Sequence, residues 1–266
     1  MRRIVLAALV AFTLFPFLWG LLGSLRAESE LFGGATILPR AITLAHYRAL
    51  FEERAFWIPI RNSLVVAATT TLFCIAAGSM AAYALARLRF RGRRLILGFI
   101  LAVTMFPQIS IVSPLFLLLR TLRLIDTYPG LILPYLTFAM PLAVWLLVGY
   151  FRQIPVELEE AARIDGASRL GVFLRIVLPL AVPGIATTAI LTFIYCWNEF
   201  LFALSFTLGA DRQTVPVAIA LFRGRYEVPW GQILAAAMVT TAPVALLVLA
   251  AQRRIVQGLT SGAVKG

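Results

Sequence analysis

The chain has 266 residues, 61% hydrophobic and only 14% charged, with 24 Lys and Arg against 12 acids and a net charge of +12. Such an apolar load excludes an ordinary water-soluble domain and points to a chain that lives in lipid. The basic excess does not imply a nucleic-acid partner, because much of it sits in short loops between apolar runs, where membrane topology and anionic lipid account for it.

Six apolar segments follow in order: 4–25, 64–86, 95–119, 131–150, 181–208 and 233–251. About 20 residues cross a bilayer core as a helix, so the expectation is an all-α membrane protein with six spans. The first run is longer than the roughly 7–15 residues of a secretory apolar core, which predicts a retained span rather than a leader. Placing the N-terminus in the cytoplasm puts Arg2, Arg3, the 87–94 loop, the 152–175 loop and the tail inside. These inner segments hold 14 basic and 4 acidic residues, against 10 and 7 outside. The C-terminus is then cytoplasmic too.

Along the second segment Ala77/Ala81, Gly78/Ala82 and Ala82/Ala86 are four apart, the spacing that lets helices approach closely in lipid. Arg87, Arg89, Arg91, Arg93 and Arg94 then form a strong inner topology determinant. In the third segment Thr104, Gln108 and Ser113 surround Pro107, and Pro114 follows. An interior proline kinks a helix and frees a carbonyl that needs another partner.

Between the fourth and fifth segments the inner loop, 151–180, reads as a soluble helix–turn–helix elbow. Pro155 suits a first turn, and Glu157, Glu159 and Glu160 sit near the positive end of the helix dipole. Ala161, Ala162 and Ile164 predict a slim apolar surface, and Gly166 a left-handed stop. Ser168 is placed to cap a second helix whose Leu170, Phe173, Leu174 and Val177 predict one buried stripe, with Pro179 ending it. The fifth segment carries Tyr195, Trp197, Asn198 and Glu199. An acid at that depth faces the bundle interior or a wet cavity, so the cluster reads either as an Asn–Glu pair joining helices or as the lining of a path.

The absences constrain chemistry as well. Lys265 is the only lysine and follows no Gly-rich turn, so no phosphate-cradling loop is present. His46 is the only histidine, and Cys74 and Cys196 lie inside spans, leaving no metal set and no disulfide framework. With one acid in the spans and no basic partner, no catalytic residues are assigned. The alternatives are a transporter driven by an ion gradient and a structural partner that makes no substrate contact.

The spacing Glu160-Ala161-Ala162-x-x-x-Gly166, then Ile176-x-Leu178-Pro179 after nine residues, resembles the signature loop of the permease subunits of bacterial ABC importers. Trp197-Asn198-Glu199-Phe200-Leu201 and the ending from Gln252 to Gly266 are similar to the carbohydrate branch. The runs Met105 to Ser110 and Asp126 to Leu131 resemble the smaller permease of maltose- and trehalose-type systems. The resemblance implies the type I importer permease fold, with a first span and outer loop (1–60), a permease core (61–254) and a cytoplasmic tail (255–266). It implies a plasma-membrane location, a second homologous permease, two ATPase subunits that use ATP and Mg, and an extracytoplasmic sugar-binding protein. This chain itself would bind no cofactor. Coupling to the ATPase would fall to Glu160, Ala161, Ala162, Arg163, Asp165, Gly166, Ile176, Leu178 and Pro179, with Lys265 as a tail contact. Gln108, Tyr195, Trp197, Asn198 and Glu199 would line the path of a disaccharide such as trehalose or maltose.

Overall fold

A computed structural model of the chain describes residues 2–32, 39–222 and 228–263, and among these every regular element is helical. Helix α1 (Arg2–Ser24) is followed on the outer side by α2 (Ala45–Glu52). Helix α3 (Trp57–Arg87) crosses inward, and α4 (Arg93–Met105) with α5 (Ile109–Thr121) returns as a bent pair. Helix α6 (Tyr128–Gln153) crosses inward again to α7 (Val156–Ile164) and α8 (Arg169–Leu180), the elbow. Helices α9 (Val182–Trp197), α10 (Leu201–Phe206) and α11 (Val215–Ala220) lead to the long α12 (Trp230–Ala263).

Among the described residues, four of these helices are long and apolar enough to span a membrane alone, and the number is six where α4 with α5 and α8 with α9 each count as one bent span. The third expected span is therefore not one continuous helix. Residues Phe106 to Gln108 separate α4 from α5, and the two axes differ by 96°. Phe106 is extended, as a residue before proline prefers, and Pro107 has no N–H to carry the helix onward. The fifth span also differs from expectation, ending at Trp197 and resuming at Leu201.

Helix α3 starts seven residues before the expected boundary because its polar first turns are satisfied internally. Asn62, fully buried, donates from Nδ2 to the carbonyls of Asp211 (2.8 Å) and Gln213 (2.9 Å). Its Oδ1 accepts from the Tyr128 hydroxyl at 2.7 Å, and Ser63 Oγ accepts from the Val215 amide at 2.8 Å. These bonds fasten the outer end of α3 to the segment after α10 and to the start of α6, where unmet polar groups would be costly in lipid.

Helices α3, α6 and α9 form the centre of the bundle, and α1 packs on α12. Of the small residues in α3, Gly78, Ala82 and Ala86 are buried, Gly78 against Met140 and Val144 of α6, while Ala77 and Ala81 are exposed. The core has an inner tier, where Ala82, Leu147, Phe151, Phe173 and Val177 meet, and a middle tier around Tyr135, Ala139, Phe202 and Phe206. The inner tier seats the elbow.

Candidate functional site

The elbow is built from residues that the sequence places within two short helices. Gly166 adopts φ +86°, the left-handed stop its position predicts, and a Cβ there would touch nothing. Ser168 caps α8, its Oγ accepting from the Gly171 amide at 3.1 Å. Further along α8 the expected stripe is rotated. Phe173 and Val177 are buried with Val172, but Leu170 and Leu174 are exposed. A π turn over Phe173–Val177 widens the coil there and changes the phase of the side chains from Phe173 onward, while Leu170 lies ahead of it. Pro179 does not end this helix. Helicity runs through it to Leu180, and the 76° bend onto α9 falls at Ala181.

The surface expected from Ala161, Ala162 and Ile164 is divided. Ala162 is tucked into the inner tier with Ile176 and Leu178 packed near it, whereas Glu160, Ala161, Arg163, Ile164 and Asp165 are exposed. Ile164, at 86% exposure, is an apolar tip with nothing over it in the isolated chain. Pro179 is exposed as well.

A residue that the motif does not single out holds the elbow in place. Glu159 points inward and is buried, its Oε1 lying 2.6 Å from Arg87 Nε at the end of α3. The contact is an ion pair by distance without hydrogen-bond alignment. The Tyr83 hydroxyl donates to Glu159 Oε2 at 2.9 Å, and Arg87 Nη2 donates to the Ile154 carbonyl. Tyr83 also packs on Phe151 and Phe173. Both charged groups are shielded, so their attraction is screened little by salt. The available signal was that, of the three glutamates, only Glu159 shares a face with Ala162 at i, i+3.

The five residues read as a path separate into three settings. Gln108 Nε2 donates to the Tyr195 hydroxyl, joining the break between α4 and α5 to α9. Trp197 and Asn198 line a cavity of about 340 Å³ with Pro216, Thr240, Thr241 and Val244 from α11 and α12. Two residues apart on one helix, Tyr195 and Trp197 face different sides. Glu199 is buried and turned onto its own chain, accepting from the amides of Phe202 (2.9 Å) and Ala203 (3.2 Å) at the start of α10. Asn198 donates instead to the Ile194 carbonyl at 2.8 Å, so the two residues are not paired with each other. A buried carboxyl group whose oxygens accept from free helix-start amides satisfies both partners, and it explains how the fifth span tolerates its break. Lys265 lies outside the described residues.

Comparison with known proteins places this geometry in context. Residues 74–261 match the family model of the binding-protein-dependent transport system inner membrane component. The chain is 48% identical to the trehalose transport system permease protein of Mycobacterium tuberculosis, over 97% of this chain and 94% of that one. It is 43% identical to the trehalose/maltose transport system permease protein of Thermococcus litoralis, over 95% and 92%. Its fold matches a chain from the crystal structure of a bacterial ABC transporter that imports alginate, with a TM-score of 0.81, 23% identity and coverage of 95% and 94%.

Proposed function

The chain belongs to the family of binding-protein-dependent transport system inner membrane components, as a sugar ABC importer permease of the inner membrane, and on that premise we propose that the elbow is where ATP-driven motion enters it. Two ATPase subunits, using ATP and Mg, seat the α7 ridge of Glu160, Ala161 and Ile164 in a surface groove. The remaining motif residues set the ridge's pose: Ala162, Ile176 and Leu178 anchor it in the core, Gly166 sets the turn, and Arg163 and Asp165 flank the contact. Pro179 belongs to the bent connection to α9, and the tail with Lys265 reaches the same subunits. A second, homologous permease completes the translocation path, and an extracytoplasmic binding protein delivers the sugar.

The observation that carries this reading is the ion pair of Glu159 with Arg87. It ties the base of the exposed ridge to α3, so displacement of α7 is handed to a membrane-spanning helix instead of being absorbed by a loop. Closure of the ATPase dimer then moves α3, α8 and α9 together and opens the path outward. Of the five path residues, Trp197 and Asn198 face the sugar at a cavity with both aromatic and polar walls, while Gln108 with Tyr195 and Glu199 hold the helices around it. Stacking surfaces beside hydrogen-bonding groups suit a polyhydroxylated ligand, and the proposed substrate is a disaccharide such as trehalose or maltose.

Purification of the tagged chain from its native membrane tests the scheme. It should bring down an ATPase whose hydrolysis rises when binding protein and the disaccharide are both added. Sugar uptake by the chain alone under an ion gradient would refute it.

A further inference from the structure

The arginines between α3 and α4 have no part in the coupling scheme beyond Arg87. We propose that the cavities between this loop and the elbow bind the phosphodiester headgroup of an anionic phospholipid of the inner leaflet. One cavity, of about 620 Å³, is lined by Arg87, Arg89, Arg93, Arg163 and Arg169 with Glu159 and Glu160. Arg87 is neutralised by Glu159. That leaves four guanidinium groups around the single carboxylate of Glu160, and among the described residues no ion pair joins them. Guanidinium forks match phosphate oxygens in shape as well as charge.

A second cavity, of about 410 Å³, shares Arg89 and Arg93 with the first and adds Phe90, Arg94 and Leu95. Beyond it the lipid-facing side of α4 continues through Leu95 (79% exposed) and Phe99 (71% exposed). The cationic wall thus passes into an apolar one within about two helix turns. Free phosphate has no use for the apolar wall, whereas a phospholipid places its headgroup on one part and its acyl chains on the other. Basic pockets between membrane helices on the cytoplasmic side take acidic headgroups by this combination. A lipid seated there bridges the loop to Arg163 and Arg169 of the elbow. The site follows from charge and topology and stands whether or not the elbow transmits force.

Native mass spectrometry of the full-length chain with its co-assembled subunits, taken from phosphatidylcholine–phosphatidylglycerol nanodiscs, tests the site. Wild type should retain at least one phosphatidylglycerol that Arg89→Gln/Arg93→Gln loses, and phosphatidylglycerol should raise the melting temperature of wild type alone. The double variant keeps Arg87, Arg91 and Arg94 as topology determinants, and Arg48→Gln on the outer side should behave as wild type. If the double variant fails to assemble, Arg169→Gln is expected to weaken retention in its place. Equal retention by wild type and the assembled variants would overturn the proposal. So would stabilisation by inorganic phosphate in phosphatidylcholine discs equal to that given by phosphatidylglycerol.

Discussion

Glu159 and Glu160 are neighbouring residues with opposite surroundings. Glu160 is exposed on the ridge, and Glu159 is buried on Arg87 and Tyr83. Removing one partner of a buried ion pair leaves the other charge uncompensated, at about 3–5 kcal/mol. Glu159→Gln and Arg87→Gln are each expected to destabilise the complex on that scale, while the double variant costs much less than their sum. Denaturant or thermal unfolding of the four forms checks this, and simple additivity would show that the pair does not hold the elbow. The Arg87 variant should be the worse single change, since it also gives up the bond to the Ile154 carbonyl. Gly166 was legible from sequence because an Ala-rich helix that stops at glycine has one common geometry. The role of Glu159 was not, since its partner is remote in sequence and hidden among five closely spaced arginines.

At the element scale, propensity and pattern placed the helices but missed how they bend. Pro107 marked the first break in advance through its missing N–H, although not its 96° angle. The second break carries no proline. It rests on Glu199, whose bonds to the Phe202 and Ala203 amides at the start of α10 exist only once the chain has turned, whereas Asn198 bonds back within α9 to Ile194. The π turn in α8 was equally invisible, because a period of 3.6 fits its sequence and only packing selects the wider coil. These contacts separate two neighbours that sequence reading had grouped. Glu199→Ala is expected to cost about 0.5–2 kcal/mol, as loss of a cap does, and to lower the amount of assembled protein. Asn198→Ala, at the cavity wall, should alter sugar affinity or uptake rate with assembly intact. Unchanged transport by Asn198→Ala would favour a purely structural role for this region. Crossing contacts are similarly exacting. A Cβ at Gly184 would lie 2.4 Å from the Tyr150 ring, so Gly184→Ala must push α9 off α6 or displace the ring. Overpacking of this kind costs about 1–3 kcal/mol, and the melting temperature of the complex should fall accordingly.

For the whole molecule, the arrangement is a bundle whose inner core tier contains the root of an exposed lever. Ala162, Val172, Phe173 and Val177 share that tier with Ala82, Leu147 and Phe151, so the elbow is part of the core of α3 and α6. The six-span plan was readable from hydropathy, and the family from the motif spacing, because both depend on local sequence. The division of the path residues into separate settings was not, because it depends on which helices meet. The central claim is that force enters at the ridge and that its angle matters. The most direct measurement is sugar uptake and ATP hydrolysis together, in vesicles holding the assembled transporter with Glu160→Arg and Gly166→Val combined. Valine at φ +86° carries a backbone strain of about 1–2 kcal/mol and meets no neighbour at its Cβ, and the arginine reverses charge on the ridge. The expected result is protein in the membrane, uptake lost, and hydrolysis no longer responsive to sugar. Sugar uptake and sugar-stimulated hydrolysis at wild-type rates would contradict it.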